Sequence, residues 1–443
     1  MAASIGALEL FPGKLYSAPE SANDRPAAAL IGVGGRGQHM AVHEASVFAD
    51  VVAICDADLR RAEETRLAVL EATGMKPEVY QDYRRVLDRN DIDVIGNCTP
   101  DHWHTKINID CCRAGKDIYA EKPLTLTVDE GGILSDVVQE TGRVLQTGTQ
   151  QRSHPLFRRA TELVRGGRIG KLKQVAVIIP YYGPGGGPFP SRPTPPELNW
   201  NLWQGQAAEK PFCPERLNFR AWWDYGGGVA CDWGQHHFDC AHWAMDMDGS
   251  GPLSVEGKGY SPTLWKPDCR NNPTTFAVRF EYPGGIELWC ANIHDDRYYE
   301  DIIAGNVPKE VDAGIFAGAP EYVRTAQRCG IHFVGAQGRL FVSRDVLEVD
   351  GEDVTKDYWV PRWRINCCHH WANFLDCANS REKPICHVEI ARHSVIPPHL
   401  VNIACRVPGK LRWDSKAERF VDSEEANRWI SRDQRAPYQI QKS

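Results

Sequence analysis

Residues 28–37 read AALIGVGGRG, an apolar strand end that runs directly into a glycine-rich turn. Three glycines give the pattern G-x-G-x-x-G: the first permits a tight turn, the second lets backbone approach a diphosphate, and the third allows close helix–strand packing. A helix-like segment follows, and its positive end would face the diphosphate. The turn therefore predicts a dinucleotide site formed by Gly32, Gly34, Gly35, Arg36 and Gly37.

The chain around this turn alternates between short apolar runs and longer amphipathic stretches. This rhythm is typical of βαβ units and a parallel sheet. It predicts an α/β protein with a doubly wound Rossmann domain over residues 27–150. The apolar runs lie at 28–33, 51–55, 93–98, 117–120 and 143–147, and the amphipathic stretches include 58–72, 102–114 and 127–141.

The second half has a different pattern, with several strands separated by glycine turns and two helices near the end. We expect an α/β domain over residues 151–415 with a large, mainly antiparallel open sheet. Residues 1–26 then form an N-terminal extension and residues 416–443 a tail. The predicted helices are 154–167, 368–380 and 387–405, the strands are 175–180, 253–260, 274–282, 286–294, 331–335 and 338–349, and a Pro/Gly-rich loop, lid or oligomer arm covers 183–196.

An acidic residue follows the second strand. Asp56 lies 22 residues after Gly34, where a carboxylate would bond the ribose hydroxyls of the adenosine. It would also repel a 2′-phosphate, so NAD is favoured over NADP. The alternative is that Asp56 caps the next helix, but Asp58 is the better capping candidate.

Composition excludes several classes of function. The 443-residue chain has a net charge of −7, which disfavours a nucleic-acid partner. It also has no run of 18 apolar residues, which disfavours a membrane span. The 15 cysteines form no CxxC pair, so we expect free thiols in a reducing compartment and no structural metal site. We expect no metal site at Cys367-Cys368-His369-His370 either. We predict a cytoplasmic protein, with periplasmic export left open because residues 4–15 resemble the end of a signal whose basic front is missing.

Two segments carry candidate catalytic residues. Lys122, in Glu121-Lys122-Pro123, follows a predicted strand whose carboxyl end faces the cofactor cleft, where an ammonium can polarise a substrate hydroxyl. Asp232 and His236 are one helical turn apart, and a histidine can accept the proton of an alcohol during hydride transfer. Each feature alone also has an ordinary explanation, a surface lysine or a structural Asp–His pair.

Taken together, these motifs resemble the glucose–fructose oxidoreductase / inositol dehydrogenase / MocA family over residues 27 to about 415. The resemblance implies that Lys122, Asp232 and His236 surround the nicotinamide and substrate, with His236 as general acid/base and Lys122 positioning the reacting oxygen. It also implies a homo-oligomer, a dimer or tetramer, formed through the open sheet. Further residues expected around the cofactor's ribose and nicotinamide are Thr99, Pro100, His102, His104, Glu121 and Gln150.

The expected substrate is a sugar or glycoside. His237 stands where inositol dehydrogenases have an acidic residue, which favours a pyranose, oxidised at C3, over a cyclitol. Aromatic side chains before the catalytic helix can stack on sugar rings, although each is equally compatible with a core position. The residues expected to contact the substrate are Trp222, Trp223, Tyr225 and His237, with Trp200 and Trp203 in the same cluster.

Three functions remain open from the sequence. The first is an NAD-dependent sugar dehydrogenase. The second is a glycoside hydrolase that uses NAD for transient C3 oxidation followed by elimination. The third is a non-catalytic NAD-binding sensor, which the intact Lys122 and Asp232-x-x-x-His236 motifs disfavour.

Overall fold

A computed structural model describes residues 25–355 and 367–441. Its first half is a six-stranded parallel sheet with the strand order β3-β2-β1-β4-β5-β6. The order reverses between β1 and β4, and open α/β sheets bind ligands at such a point. The strands are β1 (Ala27–Ile31), β2 (Asp50–Cys55), β3 (Glu78–Tyr80), β4 (Val94–Asn97), β5 (Asp117–Ala120) and β6 (Leu145–Thr147).

The helices of this domain cover both faces of the sheet, which explains why β4, β5 and β6 are buried throughout. The first helix begins at Gly35, within the glycine-rich turn, and continues into a π-helical turn at Ala41–Ala45. Asp58 caps helix Leu59–Thr73, since its side chain accepts a hydrogen bond from the Arg60 amide. The helices are Gly35–Met40, Ser46–Phe48, Leu59–Thr73, Tyr83–Leu87, Asp101–Arg113 and Asp129–Thr141.

The second half is built on a ten-stranded sheet in which only the β7–β10 pair is parallel. The strand order is β14-β13-β12-β11-β7-β10-β9-β8-β15-β16. Together with the parallel sheet, this confirms the predicted fold class. The strands are β7 (Leu172–Ile179), β8 (Ser254–Tyr260), β9 (Thr275–Tyr282), β10 (Ile286–Asn292), β11 (Gly330–Gly335), β12 (Arg339–Val342), β13 (Leu347–Val349), β14 (Glu352–Asp353), β15 (Leu411–Asp414) and β16 (Arg419–Phe420).

One face of the large sheet packs against long helices to form the largest core. The other face is partly covered by short helices, where Tyr298 and Phe316 pack on Ile178 and Trp289. The predicted homo-oligomer stays a prediction. The helices of this half are Pro155–Arg165, Trp200–Gln204, Gly228–Asp232, Gly234–Met245, Asp296–Ile303, Lys309–Ile315, Glu321–Arg324, Cys367–Ser380, Val388–Ala404 and Glu424–Asn427.

The C-terminal segments join the two halves. Helix Cys367–Ser380 returns to the first domain, where Trp371 stacks on Tyr119 at 4.6 Å between ring centroids. The residues after 415 also pack against both halves, because the Asp129 amide donates to the carbonyl of Ile430 and Arg432 donates to that of Trp223. Segments from the C-terminal part of the chain therefore pack against both domains.

Some predictions fall at the edge of the described residues. The possible export remnant, residues 4–15, lies outside the described residues. The side chains of Cys367, Cys368 and His369 lie outside them as well. The cysteines whose side chains are described are free, and most are buried. No helix in the described ranges has the length and apolar character needed to cross a bilayer.

Candidate active site

A cavity of about 540 Å³ lies between the two domains, at the carboxyl ends of β1, β2, β4 and β5. This is the edge at which doubly wound sheets bind ligands. Residues from the second domain close the opposite wall. Of the predicted site residues, the cavity is lined by Gly32, Gly34, Gly35, Arg36, Gly37, Asp56, Thr99, Pro100, His104, Glu121, Lys122, Gln150, Asp232 and His236.

The glycine turn leaves room for a ligand and for close packing at different positions. Gly32 has a φ of +80°, a conformation that favours glycine. A Cβ on Gly37 would lie 2.0 Å from the carbonyl oxygen of Gly32, whereas a Cβ on Gly35 would meet no atom within 4 Å. Gly37 therefore brings the helix against the strand end, and the backbone at Gly35 is open to the cavity. Such a turn fits a diphosphate.

Asp56 faces this turn from the end of β2. Its carboxylate accepts hydrogen bonds from the amides of Val33 at 2.8 Å and Asp58 at 2.9 Å. Burial raises the pKa of Asp56, although these two donors oppose that effect. The side chain thus has a structural contact that the sequence pattern did not indicate, in addition to its place on the cavity wall.

A charged network fixes the cavity floor. Glu121 accepts from Arg36 Nε at 2.7 Å and from Gln150 Nε2 at 2.9 Å, and Arg36 also donates to Glu44. Burial pushes the pKa of Glu121 upward, but Arg36 and Lys122 outweigh it, so the pKa lies below its ordinary value. Glu121 is therefore held as a carboxylate that positions two other cavity residues.

Lys122 and Asp232 meet across the domain boundary. The Lys122 ammonium lies 2.5 Å from Asp232 Oδ1 and 2.8 Å from the Asp232 carbonyl oxygen. Arg220 Nε lies 3.0 Å from the same Oδ1, and the Tyr182 hydroxyl donates to Oδ2. Burial raises the pKa of Asp232, but Lys122 and Arg220 hold it well below its usual range. Asp232 is thus ionised and connects three donors from separate segments.

His236 lies next to this group, on the helix that begins at Gly234 just after the short Gly228–Asp232 helix. Its ring lines the cavity, and its buried Nδ1 has no hydrogen-bond partner in the described part of the chain. Burial lowers the pKa of His236 well below its ordinary value, and the positive charges of Lys122 and Arg344 lower it further. The ring is therefore a neutral imidazole beside the ammonium of Lys122.

One residue predicted for the cofactor side does not line the cavity. His102 is fully buried, and its Nε2 bonds to the carbonyl oxygen of Trp203 at 2.9 Å. Its neighbours Asp101 and Trp103 line the cavity instead, whereas the His102 ring packs beside Trp203 and Tyr225. His104 does line the wall, with ring nitrogens 2.5 Å and 2.8 Å from the carbonyl oxygens of Pro123 and Thr99.

The residues predicted to contact the substrate also lie away from the cavity. Trp222 and Tyr225 belong to a small core, and Trp223 is held between Arg406 and Arg432, whose guanidinium carbons lie 3.9 Å and 3.7 Å from its ring centroid. His237 is buried beside Phe157. Closeness in sequence to Asp232 does not fix side-chain direction. The aromatic residues that do line the cavity are Tyr83, Trp103, Trp203, Phe219 and Trp233.

Sequence reasoning also missed three polar residues, namely Tyr182, Arg220 and Arg344. Tyr182 lies in the loop just past β7, so a search for polar residues after strand ends would have found it. Arg220 comes from the short 3-10 helix Phe219–Ala221 and Arg344 from a loop, and neither belongs to a motif. Their positions depend on tertiary packing.

The described residues contain no group of three or more potential ligands arranged to hold a metal ion. In the Cys-Cys-His-His segment, His370 bonds through its ring nitrogens to the Thr147 carbonyl at 2.8 Å and the Ser153 hydroxyl at 2.7 Å. Its ring thus ties the helix to the first domain.

Sequence profiles of one protein family match both halves of the chain. Residues 27–149 match the profile described as "Oxidoreductase family, NAD-binding Rossmann fold". Residues 180–315 match that described as "Oxidoreductase family, C-terminal alpha/beta domain". Together, the two matches cover more than half of the chain.

Similar curated proteins match over shorter stretches. A glycosyl hydrolase family 109 protein of Shewanella pealeana is 35% identical over 117 residues, which are 25% of this chain and 26% of that protein. The scyllo-inositol 2-dehydrogenase (NAD(+)) of Bacillus subtilis is 29% identical over 143 residues, 32% of this chain and 41% of the enzyme. The chain thus spans well under two thirds of the length of these relatives.

Solved structures share the fold over most of the chain. The aldose-aldose oxidoreductase of Caulobacter crescentus has a TM-score of 0.61 at 15% identity, covering 88% of this chain and 99% of that one. The WlbA dehydrogenase of Bordetella pertussis, solved with NADH and UDP-GlcNAcA, has a TM-score of 0.60 at 16% identity with the same coverage. At this identity the likeness establishes the fold alone.

Proposed function

Since the chain belongs to the glucose–fructose oxidoreductase / inositol dehydrogenase / MocA family of NAD-binding oxidoreductases, we propose that it transfers hydride between a sugar or glycoside hydroxyl carbon and nicotinamide. C3 of a pyranose is the candidate carbon. The observation that carries this proposal is the meeting of Lys122, Asp232 and His236, from both domains, in the cavity that also contains the glycine turn.

The residues on the first domain's side of the cavity fit NAD. The open backbone at Gly35 and the unpartnered buried Nδ1 of His236 leave space and hydrogen-bonding capacity unused by the chain. When bound, NAD⁺ supplies the nicotinamide carbon that accepts a hydride. The residues that would hold it are Gly32, Gly34, Gly35, Arg36, Gly37, Asp56, Thr99, Pro100, His104, Glu121 and Gln150.

The chain's own residues handle the substrate proton. His236 is neutral, so its imidazole can accept the proton of the hydroxyl that is oxidised. Lys122 donates to the same oxygen and stabilises the negative charge that develops on it. Asp232 orients Lys122 from the opposite domain, and Trp233 and Phe219 add apolar wall that keeps water from the reacting carbon.

A second candidate is the redox-assisted glycoside hydrolase, favoured by the similarity to a glycosyl hydrolase family 109 protein at 35% identity. Both reactions begin with C3 oxidation at the same three residues. In the hydrolase, the resulting ketone acidifies the C2 proton, and loss of that proton expels the aglycone from C1. Water then adds at C1 while a proton returns to C2, and the hydride returns to C3. A screen of sugars and aryl glycosides separates the two, because net formation of NADH indicates a dehydrogenase and aglycone release without it indicates the hydrolase.

Lys122→Ala and His236→Ala test the roles common to both reactions. We expect each variant to bind NAD with nearly wild-type affinity but to lose at least about a hundredfold in kcat, the usual scale of general acid–base catalysis. Lys173→Ala is the matched control, since Lys173 is exposed on β7 away from the cavity. Near-full turnover by either cavity variant would show that the assigned role is wrong.

A further inference from the structure

A second cavity of about 330 Å³ adjoins the first one. Arg220 and Asp232 line both cavities, so a ligand that fills both would contact this pair. Its volume falls within the range of about 300–1,000 Å³ that small-molecule sites occupy. The remaining wall comes from the loop after β7, Asn218 and Ala221, the Gly228–Asp232 helix and the segment 270–274.

The charges around this second cavity do not balance. Its lining includes two cations, Arg220 and Arg270, and a single carboxylate, Asp232. That carboxylate is already bound by Lys122, Arg220 and Tyr182. Arg270 forms no ion pair within the described residues, and its guanidinium lies 5.0 Å above the ring of Phe189. An anionic group on a ligand would supply the missing partner.

Two polar atoms in the wall also lack partners. The Nε of Arg270 is buried without a hydrogen-bond acceptor, and the Oδ1 of Asn272 is buried without a donor. Asn272 is only 3% exposed, and its amide nitrogen is fixed by the carbonyl oxygens of Arg220 and Gly226, so its Oδ1 cannot turn away. Buried polar atoms are rarely left unpaired in native proteins. Both atoms are enclosed by the protein, so a ligand in the cavity would meet Arg270 through the outer part of its guanidinium group, because the residue is half-buried.

We propose that the second cavity is a subsite for an acidic sugar unit, with Arg270 binding its anionic group, a carboxylate or a sulfate. The proposal rests on the proposed function, because it places the oxidised ring beside Lys122 and His236 and the acidic unit on the far side of Asp232. The substrate class is then an acidic disaccharide or glycoside.

A series of three disaccharides tests this subsite. They have the same linkage and the same first unit, and the second unit is a neutral sugar, the corresponding uronic acid or its sulfate ester. Titration calorimetry at saturating NAD should show that the wild type binds one of the two acidic forms about ten to a hundred times more tightly than the neutral form, as expected for one charged hydrogen-bonded contact. The form that binds identifies the anion. Arg270→Gln should abolish this preference and Arg270→Lys should keep part of it.

Arg192→Gln is the matched control, because Arg192 is an exposed arginine of the neighbouring loop that lines neither cavity. It should keep the full preference. Equal binding of acidic and neutral forms by the wild type, or a preference that survives in Arg270→Gln, would overturn the subsite while leaving the proposed oxidoreductase intact. Failure of NAD itself to bind, measured first in the same titration, would count against the proposed function instead.

Discussion

Asp56 has a structural contact and also lines the cavity. Its carboxylate accepts from the Val33 and Asp58 amides, and the same group faces the cavity. We expect Asp56→Asn, which keeps the shape but removes the charge, to weaken NAD relative to NADP by roughly tenfold, because repulsion of the 2′-phosphate disappears. Fluorescence titration of both cofactors measures the ratio. Asp56→Ala should also lower the free energy of unfolding, because the Val33 and Asp58 amides lose their acceptor. If the ratio of NAD to NADP affinity is unchanged in both variants, Asp56 does not contact the ribose.

At this scale, the sequence predicted the residues that belong to motifs and missed those placed by tertiary packing. Gly32, Lys122 and His236 lie in short sequence patterns, and the structure places all three on the cavity wall. Arg220 reaches Asp232 only because two loops and a helix pack together. Trp223 shows the converse, since its closeness in sequence to Asp232 suggested sugar stacking, whereas the guanidinium groups of Arg406 and Arg432 pack against its ring.

The first helix and its turn act as one element. A methyl group on Gly37 would collide with the Gly32 carbonyl, so Gly37→Ala should lower the free energy of unfolding by about 1–3 kcal/mol or more, the scale of overpacking. Gly35→Ala is the matched control, because its Cβ meets no protein atom; it should keep wild-type stability but weaken NAD. Urea unfolding and cofactor titration measure the two effects. Equal stability of both variants would contradict this packing.

Helix Gly234–Met245 is buried along its whole length, including His242, whose Nε2 bonds to the Tyr282 hydroxyl at 2.8 Å. Burial lowers the pKa of His242 to about 3, so the unfolded chain binds a proton below about pH 6.5 that the folded chain does not. The free energy of unfolding is therefore unaffected by this proton above pH 6.5. Between pH 6.5 and about 3 it falls by about 1.4 kcal/mol per pH unit because of His242. His242→Gln should therefore reduce the slope of unfolding free energy against pH between 6 and 4.5 by that amount. An unchanged slope would mean that His242 titrates normally.

Element boundaries were predicted well where periodicity was long and poorly where a turn interrupted it. The helices predicted at 58–72 and 127–141 lie at Leu59–Thr73 and Asp129–Thr141. The strand predicted over 338–349 is instead a hairpin of β12 and β13, because the polar residues between them form a turn closed by the Ser343 amide and the Val346 carbonyl. Alternating patterns continue through such a turn and do not reveal it.

For the molecule as a whole, the packing between its halves predicts cooperative unfolding. Helix Val388–Ala404 contacts both the Asp129–Thr141 helix and β8, and the Lys122–Asp232 ion pair crosses the cleft where the cofactor would bind. Stabilising one half should therefore stabilise the other. We expect a single calorimetric transition. NAD at a hundred times its Kd should raise the free energy of unfolding by about 2.7 kcal/mol, and the whole peak should move to a higher temperature.

The Gly35→Ala variant provides the comparison, since its weaker cofactor binding should reduce this shift without dividing the peak. Two resolved transitions, with NAD moving only the one that reports the parallel sheet, would show that the halves unfold independently. The shared helices would then be adjacent to the first domain without stabilising it, and the ion pair across the cleft would position Lys122 for the substrate without holding the domains together.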